Sequence, residues 1–553
     1  MLVVSPLQSQ PLAIGDIPTH VFRSAEPYRD EVVLVDAHTN LKFTIGDIIT
    51  TSTKLAAGLA RSGFGGRVIS VYDDTQLRCV YVYYAALMIG GTYQSLGTDI
   101  SAASLTERIS HTESPVVFTT RAYLEKLQQA IGGMNVYIYL LDDLCKSGAA
   151  VGCCMSFAHL LVDDPAFAPV RITTKDDAMR KPAYLAYSPI SQQHETPHQL
   201  MLSHYGLLSS QRLSRPPLAE SVLRTAVSVV PFANTHGISN IAHFPMLSGS
   251  RVVQLSSIDP VSCLAAMEEW KAGVFLATYS ALSEILKRVE RKNGHVAIEG
   301  REFDIGPLQV VFMHELRMSD SFKDRVSELL GARIVELYGY METGLIAGMI
   351  TEYPRIDNSV GVLCPNVSAR VVLNGREVDE GQFGEILIST PRLTLVNSVF
   401  MEGSNYFRTG DYGRVTSEGV VIIKARMSDL IYTQSGIIIP ADVEASLLKH
   451  PAVAECAVVA LRRKGMDDIP FVFIVTKDKD KDNAGDASAA SAADAEKDKD
   501  SWYNRRQIVD DIISSLTSLH PGIHGSIIDT IPKSSRGGPD RAYLRLKLAS
   551  DHC

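Results

Sequence analysis

The chain has 553 residues, 46% of them hydrophobic and 21% charged, with a mean hydropathy of +0.06. That composition supports large buried cores and excludes disorder of the whole chain. A net charge of −9 with a pI near 5.9 leaves no electrostatic footprint for nucleic acid or for an anionic membrane.

Taken in chain order, the first 16 residues, MLVVSPLQSQPLAIGD, lack both a basic region and a sustained apolar stretch, so no secretion signal is expected. Apolar spacing predicts helices from Ile45 to Ser62 and from Gln76 to Ile89. Short apolar runs, Arg67 to Val71 and Pro115 to Thr119, read as buried strands. Strand and helix signals continue over several hundred residues, which predicts α/β architecture with largely parallel sheets. From Ser359 to Ser389 the pattern changes to short strands broken at Asn374-Gly375 and Glu380-Gly381, a β-rich subdomain. Two more strand-length runs, Ala457 to Leu461 and Phe471 to Val475, precede a charge-alternating stretch, 477–500, that lacks aromatic and β-branched residues. Such a stretch has nothing to bury and reads as a solvated, flexible insertion. Beyond it, Asn504 to His520 returns to helical spacing, so the insertion interrupts one small domain. The eight cysteines show no CxxC spacing, which favours reduced thiols and a cytoplasmic setting. No apolar run approaches the ~18 residues that span a bilayer.

Five segments occur together: GGTYQSLGTD (Gly90 to Asp99), YGYMETG (Tyr338 to Gly344), the run from Ser359 through GQFGEI to Ile386, YFRTGDYGRV (Tyr406 to Val415) and IIPADVEASLLKHPAVAECAVV (Ile438 to Val459). In this order they resemble the adenylate-forming superfamily of acyl-CoA synthetases, 4-coumarate–CoA ligase-like enzymes, luciferases and peptide-synthetase adenylation domains. The resemblance implies a large N-terminal domain of layered α/β subdomains plus a β-rich subdomain, residues 1–426. It also implies a small, mobile α+β lid, residues 427–553. By the same resemblance, Asp411 would accept the ribose hydroxyls of ATP, Arg426 would make a second ribose contact, Tyr338 would lie beside adenine and Glu342 would hold Mg²⁺.

Other positions depart from the family. The phosphate-loop counterpart, YSPISQQHETPHQLMLSH from Tyr187 to His204, keeps its flanks but contains no glycine. Glycines let backbone N–H groups curl round phosphates, Pro189 removes a donor, and Glu195 puts negative charge where a triphosphate would lie. Met313-His314-Glu315-Leu316-Arg317 replaces a Gly/Ala-rich adenine loop, and Met341 replaces a threonine. Asn234 stands for the histidine of an aromatic-His segment, and Gly538 stands at the final lysine, with Arg536 and Arg541 nearby. Arginine does not substitute for lysine at such a site, because its charge is spread over a planar fork.

Three functions are therefore weighed. The first is a ligase-like protein that no longer adenylates and transforms a small organic acyl or aromatic molecule by cyclisation, isomerisation or condensation. Its acid–base groups would be His314, Glu315, Glu342, His236 and Arg317, with Asn234, Met313, Tyr338, Tyr340 and Met341 shaping the substrate pocket. This reading needs no cofactor and no metal. The second is a working ligase using ATP, Mg²⁺ and CoA. The third is a non-catalytic protein that steadies a partner enzyme.

Overall fold

The computed structural model describes residues 2–73, 77–142, 154–187, 199–213, 224–233, 235–292, 294–313, 318, 320–348, 359–392, 405–462, 466–477, 514, 522–533 and 539–551. The chain divides into a larger unit (1–382, 386–409 and 415–422) and a smaller one (383–385, 410–414 and 423–553). The expected insertion at 477–500 and the helix expected at 504–520 lie outside the described residues, apart from Lys477 and Ser514.

The larger unit contains two extended sheets. In one, Val68–Tyr72 pairs in parallel with Thr92–Ser95 and Val116–Thr119, and the ladder continues through Tyr137–Leu140 to Cys154–Ser156. On the other side Thr92–Ser95 pairs with Pro182–Tyr187, against which Gln199–Ser203 runs antiparallel. Thr92–Ser95 and Val116–Thr119 are buried along their whole length, the pattern expected of parallel strands covered on both faces. The helix expected after residue 44 is Ile45–Arg61, started by a reciprocal capping box between Thr44 and Asp47. The second expected helix is Cys79–Met88, and it is buried on every side.

The other sheet runs in parallel through Val32–Asp36, Arg251–Gln254, Thr225–Ser228, Val274–Ala277, Val310–Met313 and Arg333–Tyr340. It then turns antiparallel at Gly344–Gly348 and Gly361–Leu363. The expected β-rich stretch is present as Gly361–Leu363, Ser368–Leu373, Arg376–Glu377 and Gly384–Ser389. Its hairpin closes at Asn374-Gly375, both with positive φ (52° and 75°), the geometry a tight two-residue hairpin requires.

In the smaller unit, Val453–Leu461 pairs antiparallel with Ile469–Thr476, which pairs in parallel with His524–Ile527. Strict alternation gives this sheet two apolar faces. Val458, Ala460, Val472 and Ile474 pack with Val443 and Leu447 of the helix Pro440–Leu447. Ala457, Val459, Phe471 and Phe473 pack with Leu544 and Leu548 of the helix Arg541–Asp551. Among the described residues, no helix is long and apolar enough to cross a membrane, and five cysteines are buried free thiols.

Candidate functional site

The larger unit holds a cavity of about 910 Å³ of empty space, part of it open to solvent. Its walls are mostly aliphatic and aromatic: Leu202 and Leu207 on one side, Val274, Leu276 and Phe312 from the parallel sheet, and Leu337, Met341 and Leu345 around the turn that ends it. Few polar side chains interrupt these walls, among them Thr235, His236, Ser239, Asn240 and Arg392. Apolar walls carrying a few polar groups are the usual form of a small-molecule site.

The segment bearing most of those polar groups is tightly held. Tyr184 donates its hydroxyl hydrogen bond to the Ala233 carbonyl at 2.8 Å, and Tyr84 donates to the Ala242 carbonyl at 2.6 Å. The Tyr83 hydroxyl meets His243 Nε2 at 2.8 Å. Between these ties Thr235–Gly237 forms a helical turn that runs into a π-helical stretch, Ile238–His243, which carries Ser239 and Asn240 at the cavity. Gly237 is required here, because a Cβ would stand 2.1 Å from the Pro231 carbonyl oxygen.

Burial sets the protonation of the site. The pKa of His236 is lowered to about 4, so its imidazole is neutral near pH 7. A ring of such low proton affinity is a hydrogen-bonding group, and it is poorly matched to general-base work at neutral pH. His204, at the end of the phosphate-loop counterpart, is likewise pushed down to about 4, and its Nδ1 accepts from the Ile17 N–H at 3.2 Å. That ring is committed to holding the chain near residue 17.

Among the expected site residues, the structure places His236 and Met341 on the cavity wall. Met313 is placed elsewhere. It is fully buried in the sheet's apolar core with Met318 and Val326, and the neighbouring Phe312 lines the cavity instead. Strand alternation turns consecutive side chains to opposite faces. Tyr338 and Tyr340 are also absent from the wall. Their rings meet edge to face at 5.8 Å, and Tyr340 packs on Phe407 at 5.5 Å, while Leu337 faces the cavity. Glu342 is buried and is not among the lining residues. Asn234, His314, Glu315 and Arg317 lie outside the described residues. Glu336, which sequence reasoning did not single out, fixes the chain just after that loop: its carboxylate accepts from the Met318 N–H at 2.7 Å and pairs with Lys323 at 2.5 Å.

Within the smaller unit, Asp411 is fully buried and pairs with Arg426 at 2.9 Å. Arg541 forks onto Glu444 at 2.6 and 2.9 Å and reaches Asp429 at 3.7 Å. Lys533 pairs with Glu455 at 2.5 Å. Among the described residues, no group of three or more His, Cys, Asp or Glu side chains is arranged to hold a metal ion.

The profile of the AMP-binding enzyme family matches residues 21–396, and that of the AMP-binding enzyme C-terminal domain matches 442–502. The chain belongs to the AMP-binding enzyme family. It is 24% identical over 487 residues to a probable 4-coumarate–CoA ligase 1 of Dictyostelium discoideum, covering 83% of this chain and 86% of that protein. It is also 24% identical over 564 residues to 4-coumarate–CoA ligase 5 of Oryza sativa subsp. japonica, covering 98% and 96%. Its fold is similar to that of ATP-bound MatB from Rhodopseudomonas palustris (TM-score 0.75, 18% identity, 96% and 99% covered). It is similar as well to a benzoate CoA ligase from Burkholderia xenovorans LB400 (TM-score 0.71, 17% identity, 96% and 99% covered).

Proposed function

We propose that this protein binds a small, mainly apolar organic molecule in the cavity of its larger unit and acts on it without forming an acyl-adenylate. The observation that carries this reading is the contrast between the two sites. The cavity is apolar-walled and furnished with a few polar groups. The groups expected at the nucleotide are engaged in protein contacts: Asp411 with Arg426, and Arg541, the described cation nearest in sequence to the missing lysine, with Glu444 and Asp429. A lysine clamp on developing charge is worth orders of magnitude in rate, and a loop without glycine offers phosphates few backbone donors.

On this reading 1–426 carries the chemistry, and 427–553 is a lid domain retained from the ligase fold. Acid–base work falls to His314 and Glu315, because His236 is too weak a base near neutrality. The protein needs neither ATP nor CoA, has no nucleic-acid or membrane partner, and works in the cytoplasm. Substrate-dependent exchange of labelled pyrophosphate into ATP, run with Mg²⁺ and a panel of aromatic and aliphatic acids, tests the proposal. Background exchange is expected, and exchange well above background overturns it. A working ligase is the second reading, favoured by the 4-coumarate–CoA ligases among the relatives and by the retention of Asp411 and Arg426 as a pair.

A further inference from the structure

Arg392 is the least expected residue in the cavity wall. Its side chain is 1% exposed, among the largest fully buried side chains of the chain. Its Nε donates to Thr390 Oγ1 at 3.2 Å, but Nη1 and Nη2 find no oxygen acceptor among the described residues. The nearby polar group is the Cys364 thiol, which burial pushes up to about 11, so it carries no negative charge near pH 7. Burial lowers the guanidinium to about 10, and it remains a cation at neutral pH. Among the described residues, no carboxylate pairs with it. Burying a cation without an anion is strongly unfavourable, and proteins resolve it by pairing or by hydrogen bonds to every donor. Among the described residues no anion faces the guanidinium, and its side-chain partners are the Thr390 hydroxyl and the weak Cys364 thiol.

A second polar group of the same cavity is in the same condition. Thr235 is 6% exposed, and its Oγ1 is buried without a hydrogen-bond partner. Two unsatisfied polar side chains bordering one apolar cavity are what a ligand's own polar group would complete.

We infer that Arg392 is the anchor for a carboxylate carried by the cavity's ligand, whose two oxygens take the two free Nη groups while its apolar body fills the aliphatic walls. The inference rests on the proposed reading of the cavity as a small-molecule site. A carboxylate fits better than a phosphate for two reasons. The planar fork of a guanidinium matches two coplanar oxygens. In addition, Arg392 is the one Lys or Arg among the cavity's described lining residues, so a single negative charge is balanced and a second is not. The Nη atoms are covered in the structure, so a side chain of the cavity wall must move before the anion reaches them.

The test is calorimetric titration of the full chain with hexanoate, benzoate and 4-coumarate, each compared with its primary amide, and with hexylphosphonate as the dianionic probe. Three variants accompany the wild type: Arg392→Met, Arg392→Lys, and Ser239→Phe to fill the cavity. At least one acid is expected to bind wild type tenfold or more tightly than its amide, with the phosphonate weaker than the acid. Arg392→Met should bring acid and amide within threefold of each other, and Arg392→Lys, which keeps the charge without the fork, should fall between. If Arg392→Met does not fold, an acid-to-amide ratio in Arg392→Lys equal to that of wild type overturns the forked anchor. If acids and amides bind wild type alike, and Ser239→Phe abolishes both, the carboxylate anchor is wrong while the cavity stands as a small-molecule site. If no probe binds, or binding ignores Ser239→Phe, the cavity reading itself falls and the anchor with it.

Discussion

Arg541 and Arg392 are the same residue type in opposite circumstances, and they should respond oppositely to removal. Arg541 is held in the smaller unit by two carboxylates, and the Glu444 oxygen it pairs with also accepts from the Val458 N–H at 2.7 Å. With both partners mostly buried, Arg541→Ala strands a carboxylate against the sheet. Breaking a buried pair on one side typically costs about 3 kcal/mol or more. The urea midpoint of the smaller unit should fall accordingly, and acid binding in the cavity should stay unchanged. Among the described residues, Arg392 has no carboxylate to strand. Its replacement by methionine exchanges a buried cation for an apolar side chain of similar reach and removes the cost of keeping that charge from water. The ligand-free Arg392→Met protein should therefore melt at or above the wild-type temperature. A large drop would mean that the guanidinium has structural partners and would weaken its assignment as an anchor.

At the scale of elements, two glycines separate a turn requirement from a packing requirement. Gly375 sits at φ 75° with nothing within 4 Å of a would-be Cβ, so Gly375→Ala is opposed only by backbone strain, about 1 kcal/mol. Gly237 has an ordinary helical backbone, but its Cβ would overlap the Pro231 carbonyl. Gly237→Ala must push apart the segment carrying Thr235, His236, Ser239 and Asn240, and it should cost several times more in thermal stability and weaken ligand binding as well. The elements themselves were largely legible. Periodicity placed the helices at Ile45–Arg61 and Cys79–Met88, the strands Val68–Tyr72 and Val116–Thr119, and the turn at Asn374-Gly375. The site was legible only in part. His236 and Met341, singled out from the altered family segments Pro231 to Gly237 and Tyr338 to Gly344, lie on the cavity wall. A motif does not reveal strand phase, and one step of alternation puts Phe312 at the cavity and Met313 in the core. Arg392 was missed because nothing in TPRLTL marks the arginine as buried. Its environment is set by Cys364, Gly206 and the cavity walls, which come from distant parts of the chain.

For the larger unit as a whole, the consequence that reaches furthest is its response to acid. His204, His236 and His243 are all buried, and burial lowers their pKa values to about 4, about 4 and about 3 from an ordinary 6.5. For His204 this lowering prevails over the opposing pull of Asp16 and is assisted by Lys181, and for His243 it is assisted by His20. The direction of the pH effect follows from proton counting. Below about pH 6.5 the unfolded chain takes up a proton at each of these rings, whereas the folded chain keeps them neutral until the pH approaches 4. Protonation then favours the unfolded state, so stability is full above pH 6.5 and declines steadily as pH falls toward 4. Carboxylates held by ion pairs act in the same direction, but mainly below about pH 4.5, so the interval from 6.5 to 5 isolates the histidines. Urea unfolding of the larger unit should show its midpoint falling across that interval. His204→Asn should lessen the slope by about one proton's share, since the amide oxygen keeps an acceptor for the Ile17 N–H without a titrating ring. A midpoint that stays level between pH 6.5 and 5 would show that these imidazoles are not held neutral by the fold. His236 would then return as a candidate base for chemistry in the cavity.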